Sequence, residues 1–189
     1  RSAIPAESYQ GILSLQSGGK DSLLTATIFA SQKPSYLYIS SSMDHPAVLD
    51  ELSSDLQILQ RQIAKTALHE TGGLNGHVPI TYIVESLALV QAIINHQNTV
   101  MASIGREGNE AHAYIGDLAV NHQWSKTWAA EQLLSEYVMR YISPDLHIGS
   151  PLRGFSELRI AELFSQKCWD QYGHKFSSCN VANYRQGKN

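Results

Sequence analysis

The chain reads LSLQSGGKDS at residues 13–22, and this stretch decides the predicted fold. Residues 11–15 have the apolar character of a strand, whereas residues 22–31 are amphipathic and long enough for a helix. Two glycines and a lysine therefore lie between a strand end and a helix start. Glycine adopts backbone conformations that other residues avoid, and unpaired N–H groups at a helix start attract phosphate oxygens. Residues 17–22, called the glycine turn below, are thus predicted to bind phosphate.

The side chains of the glycine turn suit the same task. Lys20 neutralises ligand charge, and Asp21 offers an oxygen ligand for Mg²⁺. The spacing differs from GxxxxGK[ST], which excludes the phosphate loop common to kinases and GTPases. We predict that the cofactor is bound by Ser17, Gly18, Gly19, Lys20, Asp21 and Ser22.

The composition is that of an ordinary globular protein, with 43% hydrophobic and 16% charged residues and a formal net charge of −3. Without a basic run we expect no nucleic-acid partner, and without a long uninterrupted apolar stretch we expect no membrane span. The two cysteines, Cys168 and Cys179, favour a reducing compartment, so we expect a cytoplasmic protein. Because the chain opens on Arg1 rather than Met, residues 1–189 are expected to form one domain truncated at both ends.

The rest of the chain alternates apolar runs of strand length with amphipathic segments of helix length. This pattern predicts an α/β fold with a doubly wound parallel sheet and helices on both faces. The predicted strands after the first are residues 36–39, 99–104 and 146–149. The predicted helices after the first are residues 46–68, 79–95, 125–141 and 156–164. Residues 71–76 are predicted to be a loop because of their glycines.

Three further polar clusters fall at predicted loops or helix starts. They read NGHVP at residues 75–79, VNHQWSK at residues 120–126 and SPLRGFSEL at residues 150–158. In a doubly wound fold, the loops after the strands converge on the ligand. Amide and imidazole groups there suit an amide or carboxylate, whereas Lys126 and Arg153 suit anionic groups. An ion pair between Arg153 and Glu157 is an equally good interpretation, and the pair Trp124 and Trp128 is expected to pack in the core.

These motifs resemble known enzymes at two levels. SGGKDS at residues 17–22 resembles the signature of the PP-loop ATP pyrophosphatase superfamily, whose members cleave ATP between the α and β phosphates and transfer AMP to an oxygen. Together with the three clusters and SCN at residues 178–180, it resembles the ATP-dependent UDP-N-acetylmuramoyl-L-alanyl-L-glutamate epimerases of peptidoglycan precursor synthesis. The resemblance covers about residues 13–183.

The resemblance implies a HUP-like PP-loop adenine nucleotide hydrolase fold, with ATP and Mg²⁺ as cofactors and a small UDP-muramoyl dipeptide as substrate. It implies that the terminal L-Glu is converted to D-Glu through an acyl adenylate, with release of AMP and pyrophosphate. Asp21 is the implied metal ligand. The implied substrate-binding residues are Asn109, Glu110, Asn121, Gln123, Ser125, Arg153 and Glu157.

Epimerisation also needs a group that moves a proton, within hydrogen-bond reach and with a suitable pKa. His122, Lys126 and His112 are the candidates, and His122 is preferred. Lys126 is expected to stabilise the developing oxyanion, and Lys20 to act on the phosphates of ATP. The predicted catalytic residues are therefore His122, Lys126 and Lys20.

The sequence leaves some alternatives open. Residues 105–112, GREGNEAH, depart from the shorter serine, asparagine and glutamate cluster of the family, so either Glu107 or Glu110 fits the family's glutamate. A queuosine-precursor synthase-like enzyme would attack the adenylate with ammonia and would carry a four-cysteine zinc site. Zinc is expected only in a longer chain with further cysteines. A non-catalytic nucleotide-binding module is the third interpretation.

Overall fold

The computed structural model describes residues 9–42, 44–52, 55–62, 79–121 and 123–178. The strands in these ranges are β1 (Ile12–Gln16), β2 (Ser35–Ser40), β3 (Leu56–Gln60), β4 (Thr99–Met101), β5 (Ala113–Ile115), β6 (Leu118–Val120) and β7 (His147–Gly149). The α-helices are α1 (Lys20–Phe29), α2 (Ile80–Ile94), α3 (Trp128–Tyr141), α4 (Glu157–Lys167) and α5 (Trp169–Tyr172). Short 3₁₀ turns occupy Ala30–Gln32, Ala47–Glu51, Arg106–Asn109 and Trp124–Lys126.

The main sheet has the strand order β3-β2-β1-β4-β7, and every pair of neighbours is parallel. The chain first extends the sheet from β1 outward to β3 and then returns to the other side of β1 to add β4 and β7. The direction of winding therefore reverses between β1 and β4. Loops leaving the carboxyl ends of these two strands separate and open a crevice, which is where ligands bind in open α/β sheets.

Apolar clusters on both faces of the sheet hold it in place. On one face, α1, α4 and α5 pack with the 3₁₀ turn Ala47–Glu51 around Leu24, Leu49 and Ile160. On the other face, α2 and α3 cover Leu13, Leu37 and Val100 of the central strands. The predicted doubly wound parallel sheet with helices on both faces is confirmed.

The helix predicted over residues 46–68 is wrong in its described part, and residues 53–54 and 63–68 lie outside the described residues. Ala47–Glu51 form a short 3₁₀ turn, and Leu56–Gln60 form β3, which pairs with β2. Leu56 packs against the apolar cluster on one face of the sheet and Leu59 against the cluster on the other. Residues three apart in a strand point to opposite faces, so a strand buried on both faces imitates the three-residue spacing of a helix.

Other elements differ in extent from their predictions. The strand predicted over residues 99–104 ends at Met101, and the helix predicted from residue 125 begins as α3 after Thr127, whose side-chain oxygen accepts a hydrogen bond from the N–H of Ala130.

Trp124 and Trp128 are 47% and 46% exposed, so the prediction that they pack in the core is wrong. The loop predicted at residues 71–76 lies outside the described residues.

The antiparallel hairpin of β5 and β6 was not predicted. Its two-residue turn is Gly116-Asp117, with Gly116 at a φ of +59°. A Gly-Asp pair between two strands is a recognised hairpin signal. Each of these strands has only three residues, however, so the alternation of apolar and polar residues is too short to indicate a strand. No helix in the described ranges is both long and apolar enough to cross a membrane.

Leu24 provides a test of the first apolar cluster, because it is fully buried in α1 whereas Leu158 of α4 is 81% exposed. Leu24→Ala is expected to lower the free energy of unfolding by about 2–5 kcal/mol through loss of contacts and creation of a cavity. The matched change Leu158→Ala is expected to alter it by about 0.5 kcal/mol or less. Urea unfolding of both variants measures the difference, and equal effects would contradict the packing described.

Candidate active site

The glycine turn connects β1 to α1 in a conformation that depends on Gly18. Gly18 has a φ of +77°, in the left-handed region that side chains disfavour. A Cβ at this position would lie 3.0 Å from the Cβ of Pro46, so the segment that follows β2 packs directly on the turn. Gly19 then adopts an extended conformation and precedes the first residue of α1. Backbone geometry and packing together require glycine at position 18.

The two serine hydroxyl groups stabilise the turn from inside. The Oγ of Ser22 accepts a hydrogen bond from the N–H of Ser17 at 3.2 Å and donates one to the carbonyl of Gly19 at 3.1 Å. The Oγ of Ser17 lies 3.2 Å from that of Ser22 and accepts from the N–H of Gly19 at 3.3 Å. Both hydroxyl groups are therefore used to fix the shape of the turn.

The start of α1 is covered by residues from the far end of the described chain. The N–H of Lys20 donates to the Oγ of Ser178 at 3.1 Å, and the N–H of Ser177 donates to the carbonyl of Gly18 at 3.1 Å. The Ser178 hydroxyl thus occupies the position at a helix N-terminus that favours an anionic oxygen. Cys179 and Asn180 of the SCN motif lie outside the described residues.

Lys20 forms ion pairs with two carboxylates. Its Nζ lies 2.5 Å from Oδ1 of Asp21 and 2.6 Å from Oε2 of Glu157, the first residue of α4. Burial lowers the pKa of Lys20, but the hydrogen bonds and charges of Asp21 and Glu157 outweigh it and leave that pKa above its ordinary value. Burial, together with the charge of Glu157, leaves the pKa of Asp21 above its ordinary value although Lys20 and Lys126 lower it. Lys20 is therefore a firmly charged ammonium group facing two carboxylates.

The glycine turn opens into a cavity of about 720 Å³ at the carboxyl ends of β1, β2 and β4. We call it the crevice cavity. Its volume lies within the range of small-molecule sites. One wall is the glycine turn and another is the first half of α2; its lining includes Tyr38, Ile39, Ile80, Val84, Ala102 and Ile104. Apolar walls beside a charged turn suit a ligand with a flat apolar part and an anionic part.

A smaller cavity of about 260 Å³ adjoins the first one and shares Asp21, Lys126 and Glu157 with it. Asn121 and Gln123 also line this smaller cavity. The structure therefore brings four of the polar residues predicted from the second half of the chain next to the glycine turn: Asn121, Gln123, Lys126 and Glu157. His112 and Glu107 line the smaller cavity as well.

Several of these polar groups have structural partners. The side-chain amide of Asn121 donates to the carbonyls of Gly108 and Glu110 at 3.0 Å each, and its Oδ1 accepts from the N–H of Gln123 at 2.8 Å. The Oδ1 of Asn109 accepts from the N–H of Trp128 at the start of α3. Asn109 and Asn121 thus fix the backbone that surrounds the smaller cavity.

The two glutamates of the divergent segment have different positions. Oε1 of Glu107 accepts from the N–H of Glu157 at 2.8 Å, while the backbone N–H of Glu110 donates to the Glu107 carbonyl at 3.0 Å. Glu107 therefore stabilises the start of α4, which presents Glu157 to Lys20. Glu110 is not among the residues that line either cavity.

Arg153 and Ser125 lie behind the cavity walls. The guanidinium of Arg153 forms a 2.7 Å ion pair with Glu131 of α3 and donates to the carbonyls of Gly105 and Lys126 at 3.2 and 2.8 Å. The ion pair expected between Arg153 and Glu157 is absent, because Glu157 pairs with Lys20. Ser125 is buried and lines neither cavity. His122 lies outside the described residues.

Glu85 is a cavity residue that the sequence did not indicate. It lies on α2, is 3% exposed and lines the crevice cavity, and its Oε2 has no hydrogen-bond partner in the described part of the chain. Burial first and the charge of Glu131 second raise the pKa of Glu85 to about 8, against a smaller lowering by Arg153. The sequence could have indicated it as the one carboxylate at helical spacing from Ala88, Leu89 and Ala92, the other buried residues of α2.

Asp21 and Cys168 are described residues that could in principle bind the predicted metals, Mg²⁺ and zinc. Asp21 lines both cavities and offers one carboxylate, which fits Mg²⁺ held by one protein ligand, phosphates and water. In the described ranges, no group of three or more His, Cys, Asp or Glu side chains could hold a metal ion by protein ligands alone. Cys168 is buried, and its thiol donates to Thr27 at 3.3 Å, so it belongs to the core.

The features described so far define a class of protein: an open, doubly wound parallel α/β protein with a glycine-rich strand–turn–helix at its switch point. Residues 3–150 match the family model described as the MurL N-terminal domain. The chain belongs to this family, and the resemblance stated from the motifs is confirmed.

Two curated relatives carry the same name, UDP-N-acetyl-alpha-D-muramoyl-L-alanyl-L-glutamate epimerase. The protein of Xanthomonas oryzae pv. oryzae is 34% identical over 167 residues, which are 86% of this chain and 37% of that protein. The protein of Micromonospora sp. is 32% identical over 174 residues, which are 90% of this chain and 38% of that protein. The chain thus spans a little over a third of the length of these curated relatives.

Two solved structures share a distant likeness with the chain. A Methanocaldococcus jannaschii protein, described as a subunit of tRNA methyltransferase, has 18% sequence identity and a TM-score of 0.46, over 94% of this chain and 86% of that one. The Cj0485 dehydrogenase has 13% identity and a TM-score of 0.41, over 78% of this chain and 69% of that one. The fold assignment rests on the strand order given above.

Gly18→Ala tests the conformation of the glycine turn. The new Cβ would require a left-handed φ and would press on Pro46, so we expect a loss of about 1–3 kcal/mol in the free energy of unfolding. Gly154→Ala is the control, because its Cβ would meet no atom within 4 Å, and it is expected to change stability by about 0.5 kcal/mol or less. Denaturant unfolding compares the two. Equal stabilities would show that the turn does not need glycine at position 18.

Glu85 predicts a specific dependence of stability on pH. Its pKa is about 8 in the folded chain and 4.5 in the reference state, so between these values the folded state binds a proton that the unfolded state lacks. Its contribution is therefore complete below pH 4.5 and is lost as pH rises to about 8, by up to about 1.4 kcal/mol per pH unit.

Glu85→Gln removes this titration, so the stability of wild type relative to the variant should fall as pH rises from 5 to 8. Urea unfolding across that pH range measures it. Glu136→Gln, at an exposed position of α3, should leave the pH profile unchanged. Parallel profiles for wild type and Glu85→Gln would contradict the shifted pKa.

Proposed function

We propose that the chain forms the ATP-binding part of a cytoplasmic enzyme that epimerises the terminal L-Glu of UDP-MurNAc-L-Ala-L-Glu to D-Glu. The observation that carries the proposal is the glycine turn with Lys20, which opens into the crevice cavity at the point where the winding of the sheet reverses. Membership of the MurL N-terminal domain family and the names of the curated relatives support it.

ATP meets a specific chemical need of this reaction. A proton beside a free carboxylate is hard to remove, because its loss places two negative charges close together. Transfer of AMP to the α-carboxylate, with loss of pyrophosphate, converts that carboxylate to a neutral activated carbonyl. The α-proton can then leave to an enolate-like species and return on the opposite face, and hydrolysis of the adenylate gives AMP and the D-Glu product.

The geometry of the glycine turn suits the phosphates of ATP. The N–H groups at the start of α1 would donate to phosphate oxygens after the Ser178 hydroxyl moves away from the N–H of Lys20. The Lys20 ammonium would exchange Asp21 and Glu157 for phosphate oxygens. Asp21 would hold Mg²⁺, which neutralises phosphate charge during transfer.

Lys126 and His122 are assigned to the carbonyl end of the substrate. Lys126 lines both cavities and lies close enough to Asp21 for its charge to lower the pKa of that carboxyl. It is therefore placed between the glycine turn and the smaller cavity, where a developing oxyanion would gain from a positive charge. His122 lies four residues before it and is the proposed group that moves a proton.

Two substitutions separate adenylation from proton exchange. The complete protein is incubated with ATP, Mg²⁺ and UDP-MurNAc-L-Ala-L-Glu in deuterated water. Lys20→Ala is expected to lower pyrophosphate release by about 100-fold or more, because the phosphates lose their cation. His122→Ala is expected to preserve pyrophosphate release and to lower deuterium entry at the α-carbon by about 100-fold. Lys167→Ala, at an exposed position of α4, is the control.

Chiral analysis of the released glutamate decides the outcome. D-Glu with α-deuterium supports the proposed epimerase. Pyrophosphate release with glutamate that stays wholly L and unlabelled would contradict it and favour a different use of the adenylate. Survival of both steps in His122→Ala would contradict the assignment of His122 alone.

A further inference from the structure

Glu85 occupies the wall of the crevice cavity but has no part in the function proposed so far. It lies on the face of α2 that also supplies Ile80, Thr81 and Val84 to the cavity lining. The opposite part of the lining is the glycine turn with Lys20, and Lys126 adds a further side. A carboxyl group in this wall is close to whatever ligand fills the cavity.

In the described part of the chain, a second carboxylate and one cation act on Glu85. The charged groups that act on it are Glu131 of α3 and Arg153, which follows β7. The guanidinium of Arg153 is already bound to Glu131 at 2.7 Å and to two backbone carbonyls. On its own helix, the hydroxyl group of Tyr82 donates to the carbonyl of Ala130 at 2.9 Å and is likewise occupied.

Glu85 is buried, and one of its carboxyl oxygens has no hydrogen-bond partner among the described residues, so its neutral form is favoured. Ionisation would leave one buried negative charge uncompensated, and the raised pKa of Glu85 reflects this cost. A neutral carboxyl group can donate a proton, whereas the other carboxylates near the glycine turn are held by the Lys20 ammonium. Glu85 therefore differs in chemistry from Asp21 and Glu157, although all three line the same cavity.

Epimerisation needs two groups that act on opposite faces of the α-carbon, one to remove a proton and one to supply a proton. We propose that Glu85 is the group on one of these faces and donates its proton to the α-carbon of the enolate-like adenylate. A new C–H bond forms, the Glu85 O–H bond breaks, and Glu85 is left as a carboxylate. It regains a proton from solvent after product leaves. This inference rests on the proposed epimerase function.

The test uses the complete protein with ATP and Mg²⁺ in deuterated water, with the L-Glu and the D-Glu substrates in separate reactions. Glu85→Gln keeps the size of the side chain but cannot exchange the proton. We expect pyrophosphate release within about threefold of wild type, D-Glu formation lowered by about 100-fold or more, and α-deuterium entry retained for only one of the two stereoisomers. A purely structural role for Glu85 would not separate the two stereoisomers.

Two further variants complete the test. Glu85→Asp keeps an acid and is expected to restore measurable epimerisation and exchange of both stereoisomers, which also tests the assignment if Glu85→Gln does not fold. Glu136→Gln, the same change at an exposed position, is expected to behave as wild type.

The outcomes for the two proposals differ. If the wild-type protein forms D-Glu and the Glu85→Gln variant forms it at the same rate, the role of Glu85 is overturned and the epimerase function is left intact. A folded Glu85→Gln variant that has a raised KM for ATP and loses exchange of both stereoisomers equally would also overturn it, because Glu85 would then contact the nucleotide. Failure of wild type to form D-Glu would overturn the proposed function itself.

Discussion

The left-handed conformation of Gly18 is the constraint on which the site depends. The chain must leave β1, reverse under Pro46 and enter α1 within three residues, and Gly18 provides the necessary φ of +77°. The hydrogen bonds of Ser22 then hold the turn in one shape. As a result, the start of α1 and the side chain of Lys20 line the crevice cavity. The position in the sheet and the geometry of the turn together suit the anionic ligand that the proposed function requires.

Two groups of oppositely charged side chains lie around the crevice cavity. Among the described residues, Lys20 forms ion pairs with Asp21 and Glu157, whereas Arg153 forms an ion pair with Glu131 and also acts on Glu85. The first group is partly exposed, and in the proposed function Lys20 exchanges these carboxylates for phosphate oxygens. The second group, Arg153 with Glu131 and Glu85, is buried, and the raised pKa of Glu85 favours the neutral form of its carboxyl group. The fold therefore places the charged Lys20 and a carboxyl group with a raised pKa in the lining of the same cavity.

How far the sequence predicts this arrangement depends on how local each signal is. The glycine turn and the doubly wound sheet were predictable, because strand, turn and helix follow one another within residues 12–29. The strand β3 was mistaken for helix, since burial on both faces gives leucines a helical spacing. The pairing of Arg153 with Glu131 and the burial of Glu85 beside that pair arise from contacts between distant elements, for which the sequence carries no periodic signal.

The place where a nucleotide binds decides whether the glycine turn is the phosphate site. Backbone N–H resonances of the chain can be followed while an ATP analogue that resists cleavage between the α and β phosphates is added with Mg²⁺. If phosphate binds at the glycine turn, the N–H resonances of Gly19 and Lys20 should shift most, and the hydrogen bond from the N–H of Lys20 to Ser178 should be lost. The structure also has a separate cavity of about 700 Å³, lined by Pro151 and Phe155 among others. Shifts centred on that cavity, with the glycine turn unchanged, would contradict binding at the glycine turn.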